Sequence, residues 1–156
     1  MNVKPPPIQA WPRLPDKLAV LLGAIESEGG ISPRRHSRPW DLATLPDDLA
    51  VPVWAWLHEV VSWLNENHAW QPETVIPPCW PQHPHLTLEV AALAFVRQAA
   101  IRSIQPSDLH EWHADLAEFH TRMRDAIGEN GLKDCQRGKH SERPSTYELS
   151  FYLDNK

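Results

Sequence analysis

LHEWHADLAEFHTRM, residues 109–123, carries the clearest periodicity in the chain. Leu109, Trp112, Leu116, Phe119 and Met123 recur at spacings of 3, 4, 3 and 4, while Glu111, Asp115, Glu118 and Arg122 take the opposite side. An apolar stripe on a 3.6-residue period marks an amphipathic helix lying on a core. Pro106 with Ser107 as N-cap predicts its start, and Gly128 and Gly131 its end, so a helix is expected over residues 107–127.

Outward from this helix the pattern repeats. Leu86, Val90, Leu93, Ala94, Ile101 and Ile104 predict a helix over 86–104, broken from the next one at Gln105-Pro106. Over 47–67, acidic residues suit a helix start, Pro52 is tolerable in a first turn, and Val53, Trp56, Leu57, Val60, Val61 and Leu64 form a broad apolar face, which makes this helix central. Leu14, Leu18, Leu21, Leu22 and Ile25 predict a further helix over 15–28, stopped by Gly29-Gly30. The expected fold is all-α, about four helices, in one domain over 13–145. Residues 1–12 carry Pro5, Pro6, Pro7 and Pro12 and are expected as a flexible tail. Residues 146–156 are expected as a C-terminal strand or tail.

At 156 residues the chain is long enough to bury a core without disulfides. A net charge of −5 gives no overall attraction to nucleic acid or to an anionic membrane. The N-terminus lacks a signal-peptide core and no run is apolar enough to span a bilayer, so the expected location is the cytoplasm. There a pair of cysteines is more often free or metal-ligating than disulfide-bonded.

Between residues 72 and 84 five prolines exclude regular helix and predict an ordered, extended connector. It contains Cys79 and His83, and a second pair, Cys135 and His140, follows the last helix. Both spacings are near those with which zinc proteins place two ligands on one ion. The helices over 86–104 and 107–127 are each about 30 Å long at 1.5 Å per residue. Joined by so short a break they are expected to form an antiparallel hairpin, which carries the segment before it to the segment after it. Cys79, His83, Cys135 and His140 are therefore the candidate metal ligands, two thiolates and two imidazoles of a kind that suits zinc. With no position left open for water, such a site is structural rather than catalytic. A buried free thiol beside surface histidines, or a Cys79–Cys135 disulfide across the same junction, would account for the same residues.

Other residues carry competing readings. His110, His113 and His120 with Asp115 could be assembled into a hydrolytic metal centre, although HExxH and comparable signatures are absent. Of the eight tryptophans, Trp11 and Trp40 fall outside the strong helices and are candidates for exposed anchors, whereas Trp80 is placed to cover the metal site. Arg34, Arg35 and Arg38 form one basic cluster, and Lys133, Arg137, Lys139 and Arg143 another, either of which could contact phosphate. No P-loop, dinucleotide-binding glycine motif, nucleophile elbow or helix-turn-helix signature occurs.

The segment PPCWPQHP, the later WHADLAEFHTRM and the Cys135 to His140 pair together resemble a family of small proteins carried on actinobacterial plasmids, prophages and integrative conjugative elements. The resemblance covers about residues 53–140. Its pattern, a Cys-Trp-Pro-x-His-Pro segment before a helical hairpin with a downstream Cys and His, falls on Cys79, Trp80, Pro81, His83, Trp112, His113, Cys135 and His140. It implies a metal-stabilised accessory protein of a mobile genetic element. The expected function is a noncatalytic zinc-stabilised helical module that binds a protein partner. A DNA-binding accessory protein using the basic clusters, and a metal-dependent hydrolase using the helix histidines, are the alternatives.

Overall fold

The structure, a computed structural model, describes residues 4–29 and 36–140. The C-terminal segment, Arg34, Arg35 and Arg143 lie outside the described residues. Five α-helices follow in order: α1, Asp16–Ser27; α2, Asp47–Asn67; α3, Pro84–Arg102; α4, Pro106–Ile127; and α5, Glu129–Gln136. Short 3-10 turns occupy Leu42–Thr44, Pro72–Thr74 and Trp80–Gln82. The all-α expectation stands, with one more helix than expected. Among the described residues no helix is long and apolar enough to cross a membrane.

α2 and α4 supply the centre of the core. Val53, Trp56, Leu57, Val60 and Leu64 of α2 are buried, as are Trp112, Leu116, Phe119, Met123 and Ile127 of α4. Each such side chain contributes roughly 1.5–3 kcal/mol on burial. α3 lies beside α4 in the opposite direction: the Trp112 Nε1–H donates to the Leu93 carbonyl at 3.0 Å, and Arg122 pairs with Glu89 at 2.7 Å, farther from their connection. α4 begins with Pro106 at its first position and Gln105 as N-cap, not Ser107. The fixed φ of proline favours that first position, where no N–H is required. Ile101 and Ile104, expected on the buried face, are 41% and 91% exposed; α3 ends at Arg102, so Ile104 lies past the helix.

Pro52 sits at the sixth residue of α2, beyond the first turn. It cannot donate to the Asp48 carbonyl. Lys17 of α1 supplies the missing donor, with its Nζ 3.1 Å from that carbonyl oxygen and 2.8 Å from the Asp48 carboxylate. The helix-breaking residue thus creates the attachment of α1 to α2.

The expected N-terminal tail ends earlier than residue 12. Trp56 Nε1–H donates to the Pro12 carbonyl at 3.1 Å, Trp63 Nε1–H to the Gln9 carbonyl at 3.2 Å, and Trp11 Nε1–H to Gln98 Oε1 at 3.1 Å. Trp11 stands edge-on to Trp56, Trp63 and Trp112 at centroid distances of 6.1, 5.0 and 6.2 Å. It is a packed strap residue and not an exposed anchor. Trp40, by contrast, is exposed, at 39%, with one edge contact to Phe95, and Trp70 at 87% is more exposed still.

Candidate metal centre

The connector between α2 and α3 is ordered but not extended throughout, because its prolines favour the 3-10 turns at Pro72–Thr74 and Trp80–Gln82. Asn65 of α2 holds it as a neighbouring strand would: Asn65 Nδ2 donates to the Ile76 carbonyl at 3.0 Å, and the Ile76 N–H donates to Asn65 Oδ1 at 2.8 Å. Trp80 is 2% exposed, stacked on Trp54 at 5.7 Å with His58 at 5.1 Å, which anchors the second turn on α2. Buried Thr87 donates its hydroxyl to the carbonyls of Trp80 and His83, at 3.1 and 3.0 Å. Cys79 N-caps this turn and His83 N-caps α3, so both are fixed by backbone on each side.

The opposite half comes from α5. Gly128, with φ of 83°, ends α4 and admits a sharp redirection into the new helix. At the far end Gly138, with φ of 76°, carries a two-bond helix stop: its N–H donates to the Cys135 carbonyl at 3.0 Å, and the Lys139 N–H to the Asp134 carbonyl at 2.8 Å. That reversal turns His140 back toward Cys135. Gln136 then ties α5 to the connector, its Nε2 donating to the carbonyls of Pro72 and Val75 at 2.7 and 2.8 Å.

These supports bring Cys79, His83, Cys135 and His140 into one group, whose ligand atoms all lie within 4.8 Å of one another. His83 Nε2 is 3.4 Å from Cys79 Sγ and 3.6 Å from Cys135 Sγ, and His140 Nδ1 is 3.7 Å from Cys135 Sγ. The two imidazole rings stand nearly perpendicular, 82° apart. Both sulfurs belong to buried residues and both imidazoles to half-buried ones, so the group opens to solvent on its histidine side. The cysteines are free thiols, not a disulfide. Burial, with Cys135 beside it, pushes the Cys79 thiol up to about 11. A bound cation would reverse that preference by favouring thiolate. The group can hold a metal ion.

The other candidate residues do not gather in this way. Among the described residues, the Cys79–His83–Cys135–His140 group alone brings three or more potential ligands within metal-holding distance. His110 and His113 are exposed on α4, and His113 meets the rings of His68 and Trp112 at 5.7 and 5.3 Å. His120 packs beside Phe119, and burial lowers it to about 4, with His68 adding to the effect. Arg38 is engaged by Glu28 at 3.3 Å and is only 17% exposed. Lys133, Arg137 and Lys139 are exposed, with Lys133 paired to Glu129 at 3.1 Å.

One group escaped the pattern reading. The Arg97 guanidinium carbon lies 4.9, 4.8 and 4.4 Å from the ring centroids of Trp11, Trp63 and Trp112. Its Nε and Nη1 are buried without a hydrogen-bond partner, so the indole faces take the place of an acceptor. An arginine in an apolar run with no acidic residue within one helical turn on either side is the sequence signal, but the tryptophans come from three separate segments.

No protein-family model, curated protein or solved structure was found to match the chain.

Proposed function

We propose that the chain is a noncatalytic helical interaction module whose fold is stapled by zinc at Cys79, His83, Cys135 and His140. The spacing of the ligand atoms carries the reading. Zinc–sulfur bonds of about 2.3 Å and zinc–nitrogen bonds of about 2.0–2.1 Å, at tetrahedral angles, place sulfur and nitrogen about 3.6 Å apart. The observed sulfur–nitrogen distances are 3.4, 3.6 and 3.7 Å. Two thiolates with two imidazoles favour zinc over the oxygen-seeking cations. Four protein ligands complete the coordination, so the ion's role is to clamp the connector to α5.

The protein taken from a native-like expression without an affinity tag should carry about one zinc per chain. Removal by chelator should lower the melting temperature reversibly, because binding energy at such a site is folding energy. Less than a tenth of an equivalent, or a melting curve that chelator leaves unchanged, removes the staple.

The resemblance of the Cys-Trp-Pro-x-His-Pro segment to proteins of actinobacterial mobile elements supports an accessory role beside a larger partner protein in the cytoplasm. A second reading takes an anionic partner, favoured by the exposure of Lys133, Arg137 and Lys139 on and just after α5. A duplex-DNA gel-shift titration separates the two, since phosphate contacts weaken steeply as salt rises. Absence of a shift at low salt discards the DNA reading.

A further inference from the structure

Resting on the zinc reading above, we infer that Cys79 and Cys135 are also a modification site: a two-electron oxidant of the peroxide class converts them to an intramolecular disulfide and expels the ion. The two are the chain's only cysteines, and both lie in the one group. Each sulfur is therefore the other's sole intramolecular thiol partner, at a distance of no more than 4.8 Å.

The backbone around both sulfurs is held by bonds that owe nothing to the ion. Asn65 on Ile76 and Thr87 on Trp80 and His83 fix the Cys79 side. Gln136 on Pro72 and Val75 and the Gly138 reversal fix the Cys135 side. When the ion leaves, these bonds keep the two sulfurs within 4.8 Å of one another across the same junction, so that closing the last gap to a sulfur–sulfur bond is a side-chain movement. Both imidazoles are partly exposed, so a small oxidant reaches the buried sulfurs from the histidine side.

The step balances with hydrogen peroxide as the named oxidant. One thiolate attacks a peroxide oxygen, forming a sulfur–oxygen bond and releasing hydroxide; peroxide is reduced and the sulfur becomes a sulfenic acid. The second thiolate attacks that sulfur, forming the sulfur–sulfur bond and releasing a second hydroxide. Two protons from solvent convert the hydroxides to water, and zinc passes to solvent as the dication. A covalent staple thereby replaces an ionic one without opening the fold.

The test treats the zinc-loaded full chain with hydrogen peroxide in the presence of a chromophoric zinc chelator. Zinc content is measured first, and intact mass is taken after blocking free thiols. About one zinc should be released per chain, in step with the loss of both free thiols and of two hydrogens from the mass, with monomeric size and far-ultraviolet circular dichroism unchanged. Dithiothreitol followed by zinc should restore the starting state. Zinc retained at peroxide levels that oxidise a free-cysteine control overturns the inference and leaves the zinc reading intact. Release accompanied by sulfinic acid or by disulfides between chains overturns it equally. A chain holding no zinc before peroxide is added refutes the zinc reading itself, and the inference with it. Cys135→Ser, which keeps a single thiol, should form no intramolecular disulfide and lose no pair of hydrogens, and the wild-type mass decides the matter if that variant does not fold.

Discussion

Replacing Asn65 with leucine should loosen the metal centre from a distance. Asn65 contributes no ligand, yet its amide makes both hydrogen bonds to Ile76, at 3.0 and 2.8 Å, three residues before Cys79. Ile76 is 2% exposed, so its N–H and carbonyl would be left in an apolar setting with no ready partner. An unsatisfied buried backbone group costs about 1–3 kcal/mol. Since the pair lies near the edge of the core and water can recover part of the loss, the expected destabilisation is roughly 3 kcal/mol. For a domain of this size that corresponds to a fall in melting temperature of about 6–12 °C. By linkage, whatever part of this energy orders the Cys79 turn must also appear as weaker zinc binding, to a limit of about 150-fold. Thermal unfolding of the zinc-loaded variant, with competition against a chelator of known affinity, measures both effects. A loss below about 0.5 kcal/mol, or a full loss of stability with zinc affinity unchanged, would refute the claim that Asn65 positions the first ligand pair.

Trp112→Phe keeps most of the buried ring but removes the donor to the Leu93 carbonyl, and should cost about 1–3 kcal/mol in urea unfolding; a neutral result would mean that the α3–α4 contact does not use this bond. Trp11→Ala removes a hydrogen bond to Gln98, three aromatic contacts and one wall of the Arg97 cage, and should cost about 3 kcal/mol by thermal unfolding; a change under about 0.5 kcal/mol would show the N-terminal strap to be dispensable. His120 should titrate near pH 4 in NMR-detected imidazole shifts, against an ordinary value of 6.5. Because folding favours its neutral form, this histidine's contribution to stability is complete above about pH 6.5 and declines as pH falls toward 4. A midpoint near 6.5 would contradict its burial.

Much of the helical framework was legible because hydrophobic periodicity reports burial directly. The stripe from Trp112 to Met123 and the acidic start and apolar face of α2 both translate into buried faces. The four candidate ligands could be brought together because adjacent helices joined by a short break return the chain to its starting end. What escaped was set by geometry that leaves little trace in composition. Gly131, read as a stop, sits inside α5, whose eight residues are too few to show a period and are stabilised by tertiary contacts instead. Gly138 makes the reversal that delivers His140, but only a known helix end before it identifies that role. Asn65 and Gln136, the polar residues that hold the two halves in register, pair with partners 11 and more than 60 positions away. Trp11 looked like part of a proline-rich tail because Pro5, Pro6, Pro7 and Pro12 share its segment, while its energy comes from indoles on α2 and α4 and from Arg97 on α3.

X-ray absorption at the zinc edge, on protein purified without a tag, reads the ligand set of the bound ion. A zinc staple gives a four-coordinate ion with two sulfur neighbours at about 2.3 Å and two nitrogen neighbours at about 2.0–2.1 Å, and Cys79→Ser should lose one sulfur neighbour. A shell of oxygen and nitrogen without sulfur, or the absence of bound zinc, would contradict it.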